Sequence, residues 1–162
     1  MTHPAYVCSQ CSVKQETLQS FRSVWDDGQS TVQWPSILST PVWIDSWHES
    51  LGCQDAVRVF AVQQGGSLIG LAPMSMNKNA PAFIGDPEVF DFFDFAVAPD
   101  QGGDFLAALV DHFKTIGINR IDLLSLREDS IVFSGLTAIN NTDGIAITTE
   151  PAGACYHMAL PQ

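Results

Sequence analysis

Apolar side chains recur at helical spacing in four stretches of the chain. Spacings of three, four and seven positions place such residues on one face of a helix, which is the face that packs against a core. The stretches begin at capping or proline signals, and the second and third end at glycine. The predicted helices span residues 12–26, 41–51, 104–116 and 130–138.

Between the helices, runs of β-branched and aromatic residues predict strands. Two of these runs flank Gly65-Gly66 and predict a β-hairpin, in which Pro73 indicates a bulge or bend. The run from Phe90 to Val97, the helix after it and the run from Arg120 to Leu126 predict a crossover between two parallel strands. The predicted strands span residues 5–11, 57–63, 67–76, 82–84, 90–97, 120–126, 144–149 and 155–160.

This order of elements predicts an α/β fold in which a mixed central sheet is flanked by helices. The chain has 162 residues, of which 46% are hydrophobic. A chain of this length buries a core large enough to fold without staples. We therefore expect one domain over residues 1–162.

Charge excludes two classes of partner. The chain has 18 acidic and 7 basic residues, which give a formal net charge of -11. The bases are scattered singly from Lys14 to Arg127, so no basic patch offsets the repulsion of phosphate backbones or anionic lipid headgroups. We expect neither a nucleic-acid partner nor membrane attachment.

The sequence also bears on the compartment. No segment approaches the ~20 apolar residues of a membrane span, and the first residues lack the features of a signal peptide. These features predict a cytoplasmic protein. The four cysteines are too few and too irregularly spaced for a disulfide framework, so we expect reduced thiols.

Four segments carry a resemblance to a known family: Thr40–His48, Gln64–Pro73, Asp91–Val97 and Arg120–Leu126. Together with the order of elements, they resemble the amino-terminal half of the cellulose-biosynthesis-associated (CelD/BcsL-like) acetyltransferases, which are related to the FemAB proteins. The resemblance extends over residues 6–160 and implies the GNAT-like fold of the acyl-CoA N-acyltransferases. Members of that family carry two such halves, and the second usually binds the acyl donor. The chain would then be one half of a tandem enzyme, partnered by a second half or by a copy of itself.

The resemblance also implies where acetyl-CoA or another acyl-CoA would bind. GNAT enzymes hold the pyrophosphate of coenzyme A at a helix start, on a loop with the pattern Arg/Gln-x-x-Gly-x-Gly/Ala. Glycines let the backbone approach the phosphates, and the helix N-terminus supplies positive dipole. In the matching place, the candidate cofactor-binding residues are Val97, Gln101, Gly102 and Gly103.

Two departures from this pattern weaken the site. Asp104 and Leu106 stand where the pattern has small residues. A carboxylate in the first turn competes for the helix dipole and repels pyrophosphate. In addition, the chain has seven acids and no base between Lys78 and Lys114. We therefore expect no tightly bound acyl-CoA.

Asp91 and Asp94 are the candidate catalytic residues. In a strand, residues three positions apart point to opposite faces, so one of the two could face a cleft. There it could act as a general base that removes a proton from an amine, and burial beside phenylalanines would raise its pKa. The alternative is a structural role, with partners such as Arg58 or Arg120.

A zinc site was the weakest chemical candidate. Cys8, Cys11, Cys155 and His157 could supply a Cys3His set if the terminal strands were neighbours. A single Cys-x-x-Cys is a weak signal, however, and on a strand its two thiols point to opposite faces. We expect no metal site.

Tryptophan offers a further binding hypothesis. Trp25, Trp34, Trp43 and Trp47 could line a groove on which sugars stack. The helical spacing of Trp43 and Trp47 instead favours core packing.

Taken together, the residues and the resemblance predict a GNAT-like domain that is non-catalytic or positions an acceptor, with a degenerate donor site. The acceptor would be a small molecule, an amine or a glycan. One alternative is an active single-domain N-acetyltransferase that uses acetyl-CoA. The other is a homodimeric interaction domain without enzymatic activity.

Overall fold

A computed structural model describes residues 10–27, 31–51, 56–76, 80–86, 88–139 and 146–153. These ranges contain five strands and four α-helices, with one short 3-10 turn at Ile37–Ser39. In chain order they are β1 (Cys11–Glu16), α1 (Leu18–Asp27), α2 (Pro41–Leu51), β2 (Ala56–Gln64), β3 (Ser67–Met76), β4 (Pro81–Phe83), β5 (Ala96–Val97), α3 (Gly102–Thr115) and α4 (Ile131–Ile139).

The strands form one sheet in the order β1-β2-β3-β4, and every neighbouring pair is antiparallel. β5 also pairs with β3, and an isolated parallel bridge joins Ala82 to Asp122. The predicted α/β class is confirmed, but the paired strands of the described ranges are antiparallel, and the sheet there is mixed only through that single bridge.

Helices cover both faces of the sheet. Along β2, Phe60 and Val62 pack into a core that contains α3 and α4 residues, whereas Val59 and Ala61 pack with residues of α1 and α2. This alternation is the period of a strand buried on both faces. The sheet is therefore the middle layer between two helical layers.

The fourth position of the sheet is divided between two short strands. β4 pairs with Met74–Met76 and β5 with Gly70–Leu71, so residues 84–86 and 88–95 leave the sheet between them and are called the excursion below. The predicted strand 90–97 is therefore wrong except at Ala96–Val97. We attribute the difference to core packing, because the aromatic side chains that predict a strand pack on one another and on the core instead.

Three phenylalanine rings hold this excursion against the core. The Phe93 ring stacks on Phe83 at 5.3 Å and on Phe90 at 5.0 Å between centroids. Gly85 turns the chain with a φ of 141°, and a Cβ there would lie 2.7 Å from Phe93 Cε1. A glycine is thus needed both for the backbone angle and for the space.

The first helix begins later than predicted. Residues 11–16 form β1, paired with Gln64–Val59 of β2, and the cap signal at Ser12 is not used. Instead, the Thr17 Oγ1 atom accepts a hydrogen bond from the Ser20 backbone N–H at 3.1 Å, which caps α1. Pairing with β2 overrides the local helix signal.

Two details of the hairpin and crossover also differ from prediction. The register shift lies at Val62/Gln63, and Pro73 stays in register opposite Val59. Pro73 lies between the stretches of β3 that pair with β4 and β5, which is an interruption of that edge, where proline is tolerated. Residues 120–126, all described, form no strand beyond the bridge at Asp122, and Ser125 has a φ of 55°.

Of the last predicted strands, residues 146–149 form none, and 144–145 and 155–160 lie outside the described residues. Residues 5–9 of the first predicted strand also lie outside them. The other predicted helices and the hairpin are confirmed, with bounds that differ by at most two residues.

Cys11 is disulfide-bonded. The prediction of reduced thiols is therefore wrong for this residue, whose partner lies outside the described residues. Stable disulfides are typical of oxidising compartments, so this bond does not favour the cytoplasmic location, which stays a prediction.

Among the helices in the described ranges, none combines the length and the apolar character needed to traverse a bilayer.

The contact of β3 with α3 gives a test of the core. A Cβ on Gly70 would lie 2.6 Å from Cε2 of Phe105, whose ring is buried. We expect Gly70→Ala to lower the free energy of unfolding by about 1–3 kcal/mol, because a well-packed core resists added volume. Urea unfolding measures this, with Gly153→Ala as control, since nothing lies within 4 Å of a Cβ at that position. Equal losses in the two variants would contradict the packing described.

Candidate functional site

Three segments that are distant in sequence enclose a cavity of about 620 Å³. The first follows α1, the second ends the excursion from the sheet, and the third leads into α4. The volume is in the range of small-molecule sites. The lining residues are Gln33, Trp34, Pro35, Phe92, Phe93, Asp94, Arg127, Asp129, Ser130 and Ile131.

Asp94 joins the excursion to the start of α4. Its carboxylate accepts backbone hydrogen bonds from Ile131 at 3.2 Å and Val132 at 3.4 Å, as well as from Phe95 at 2.9 Å. Ser130 completes the helix start, because its Oγ accepts from the Phe133 N–H at 2.8 Å. Asp94 is therefore a helix cap supplied from outside the helix, where the dipole favours a negative charge.

This environment changes the acidity of Asp94. Burial raises the pKa of its carboxyl above the usual value, the three backbone N–H groups lower it, and the charge of Asp129 raises it further, so that the net pKa is raised. A carboxyl with a raised pKa beside a cavity has the chemistry of a general base. Its contacts, however, are those of a structural cap.

The other side of the cavity carries a guanidinium held in place on two sides. Arg127 Nε donates to Asp129 Oδ1 at 2.7 Å, and Arg127 Cζ lies 5.2 Å from the centroid of the Phe92 ring. The ion pair and the cation–π contact together orient Arg127 and Phe92 on the cavity wall.

Trp34 supplies the aromatic part of the wall. Its ring meets Phe21 at 5.5 Å and Trp25 edge-on at 5.0 Å. Trp43 and Trp47 instead pack edge-on against the buried Phe90. Trp47 is partly buried against the core, as the core-packing interpretation expects, whereas Trp43 is exposed. Of the four tryptophans, Trp34 is the one that lines the cavity.

The structure separates the two candidate catalytic residues. Asp94 lines the cavity, whereas Asp91 is exposed and is not among the residues that line it. Neither lies on a strand. The suggested structural partners are also wrong for Asp94, since its contacts are backbone N–H groups and Arg120 pairs with Asp122 at 2.9 Å.

The candidate cofactor loop lies at the start of α3, where Gly102 serves helix packing. A Cβ on Gly102 would lie 2.6 Å from Ile131 Cγ2, and one on Gly135 would lie 3.0 Å from the Gly102 carbonyl oxygen. The absence of a side chain at Gly102 thus lets α3 and α4 approach. It does not leave an open cradle.

The neighbouring groups do not fit a pyrophosphate either. The Val97 carbonyl accepts from the Gln33 N–H at 2.9 Å, and Gln101 makes no side-chain cap of α3. Asp104 lies in the first turn, where its Oδ2 accepts from Gln64 Nε2 at 3.2 Å. Gln101 Oε1, in contrast, is buried without a hydrogen-bond partner.

The zinc hypothesis is not supported by the described part of the chain. Cys8, Cys155 and His157 lie outside it, and the sulfur of Cys11 is engaged in a disulfide. Within the described ranges, no group of three or more His, Cys, Asp or Glu could hold a metal ion.

Sequence reasoning did not select Gln33 or Arg127 for the site. Both lie in loops without periodicity, so local patterns give no signal for them. The cap signal at Asp129 and Ser130 did locate the start of α4, but not the cavity in front of it.

No protein-family model matches the chain, and no curated protein matches it. Among solved structures, the chain is similar to an aminoglycoside N-acetyltransferase, AAC(6')-Iy, in complex with CoA, with a TM-score of 0.42 and 16% identity over 90% of this chain and 95% of that chain. It is also similar to an aminoglycoside acetyltransferase from an uncultured soil metagenomic sample in complex with trehalose, with a TM-score of 0.39 and 12% identity over 93% and 97% of the two chains. A shared activity does not follow from likeness at this level.

The raised pKa of Asp94 predicts how stability depends on pH. The folded state binds the proton more tightly than the unfolded state, so the contribution of Asp94 to the free energy of unfolding is full below pH 3.8. It is lost as the pH rises through the raised pKa. We expect the stability of the wild type relative to Asp94→Asn to fall with rising pH and then level off.

Urea unfolding over a pH series measures this difference. Asp91→Asn removes an exposed carboxylate from the same segment and corrects for the loss of one charge. A relative stability that instead increases with pH would show that the hydrogen bonds from α4 outweigh burial.

Proposed function

We propose that the chain is a GNAT-like acyltransferase-family domain that positions an acceptor and lacks a working acyl-CoA site of its own. One observation carries this proposal, the contrast between the two helix starts. The start of α4 borders a cavity of about 620 Å³, whereas the start of α3 packs against α4 and carries a carboxylate. A small molecule has room at the first and an anionic cofactor has no cradle at the second.

The walls of the cavity suit an amine or an amino sugar. Trp34 offers an aromatic surface for the apolar face of a sugar ring, and the carboxylates of Asp94 and Asp129 attract a cation. Arg127 already neutralises one of these carboxylates, which leaves Asp94 as the anionic contact for a ligand.

The raised pKa of Asp94 favours a second candidate function, an active N-acetyltransferase that uses acetyl-CoA. In that case Asp94 would take the proton from the amine before acyl transfer. A third candidate, a homodimeric interaction domain, has exposed apolar side chains such as Ile37 and Val89 in its favour. A native-mass measurement with and without acetyl-CoA separates the second candidate from the other two, because a coenzyme-bound monomer supports the active enzyme and a ligand-free dimer supports the others.

Titration with acetyl-CoA tests the first proposal against the second. We expect a dissociation constant weaker than about 1 mM, since nothing at α3 compensates the loss of hydration of the pyrophosphate. We also expect no acetyl transfer to a panel of amines. Micromolar affinity together with transfer that is abolished in Asp94→Asn would establish the active enzyme instead.

Acceptor binding is tested with glucosamine, which combines an amine with a sugar ring. We expect weak binding, seen as ligand-induced chemical-shift changes, that is lost in Trp34→Leu because the aromatic face is removed. Trp43→Leu is the matched control, since Trp43 packs on Phe90 away from the lining. If both variants bind like the wild type, or lose binding equally, the cavity is not the acceptor site.

A further inference from the structure

The first turn of α3 is anionic in a place where a helix of this length attracts anions. α3 has 14 residues, and its N-terminal N–H groups and dipole together favour a negative charge. The chain supplies that charge itself, because Asp104 is the acidic residue of the first turn.

Asp104 is held in this position by the sheet. Gln64, the last residue of β2, donates from Nε2 to Asp104 Oδ2 at 3.2 Å, and the contact is partly buried. Such a bond between elements distant in sequence limits the movement of the carboxylate. An incoming anion would meet a fixed negative charge.

The backbone around Asp104 is also closed by packing. α4 lies against the start of α3 so tightly that a Cβ on Gly102 would lie 2.6 Å from Ile131 Cγ2. Two independent contacts therefore disfavour an anion, one through charge and one through space.

We propose that Asp104, anchored by Gln64, acts as an internal substitute for an anionic ligand and excludes pyrophosphate-bearing cofactors from the start of α3. This inference rests on the proposed function and specifies the residue that prevents donor binding. The cause of the weak donor binding is then the charge of Asp104 and not the missing glycine pattern. Removal of the charge therefore restores part of the attraction, even though α4 still packs against Gly102.

Inorganic pyrophosphate is the probe, with affinity measured by calorimetry at low ionic strength. We expect Asp104→Asn to bind it about fivefold to tenfold more tightly than the wild type, the effect of one charge near a helix start. The gain should shrink as salt is added, because screening weakens it. Asp111→Asn is the matched control, since it removes an exposed carboxylate from the same helix beyond the first turn.

Three results would overturn the inference: equal affinities of Asp104→Asn and the wild type, no measurable binding by either, or the same gain in Asp111→Asn. If Asp104→Asn does not fold, as judged by circular dichroism, Asp104→Ser gives the same readout with a residue suited to a helix start. The proposed function fails separately, when the wild type binds acetyl-CoA with micromolar affinity. If Asp104→Asn and the wild type bind pyrophosphate with equal affinity, the proposed function stands and only the role of Asp104 is rejected.

Discussion

The carboxylate of Asp94 links the interrupted edge of the sheet to the start of α4, and the cavity depends on this link. β3 pairs with two short strands instead of one, so the chain between them can leave the sheet and return. On its return it brings Phe92 to the cavity wall and Asp94 to the backbone N–H groups of Ile131 and Val132. Without that contact, nothing in the excursion would satisfy the exposed N–H groups at the start of the helix.

The same link explains why a buried carboxylate is tolerated in this position. Desolvation disfavours the charged form of Asp94, while three N–H groups and the helix dipole favour it. The balance leaves a carboxyl with a raised pKa at the edge of a cavity, which is useful to a binding site whether or not it moves a proton. The Asp94 side chain therefore both caps α4 and supplies the titratable group of the cavity.

Glycine has a different use at the start of α3. A Gly-rich segment before a helix suggests a phosphate cradle, but Gly102 faces α4, and Gly135 of α4 faces back towards it. The two glycines permit a close helix–helix contact. Together with Asp104, this contact turns a segment that resembles a cofactor loop into a packing element, in a chain whose formal net charge of -11 already repels anions.

The sequence by itself determined the α/β class, the hairpin from Ala56 to Met76 and the helices α2, α3 and α4, because their signals lie within a few residues of one another. It also selected Asp94, together with Asp91, as a titratable residue among aromatic ones. Tertiary structure decided the rest. Pairing with β2 turned residues 11–16 into a strand. Core packing of three phenylalanines replaced most of the strand predicted at 90–97. A hydrogen bond between residues 37 positions apart brought Asp94, but not Asp91, to the cavity. The physical reason is that a local pattern reports what a segment prefers in isolation, whereas a site is made of side chains whose neighbours are known only when the chain has folded.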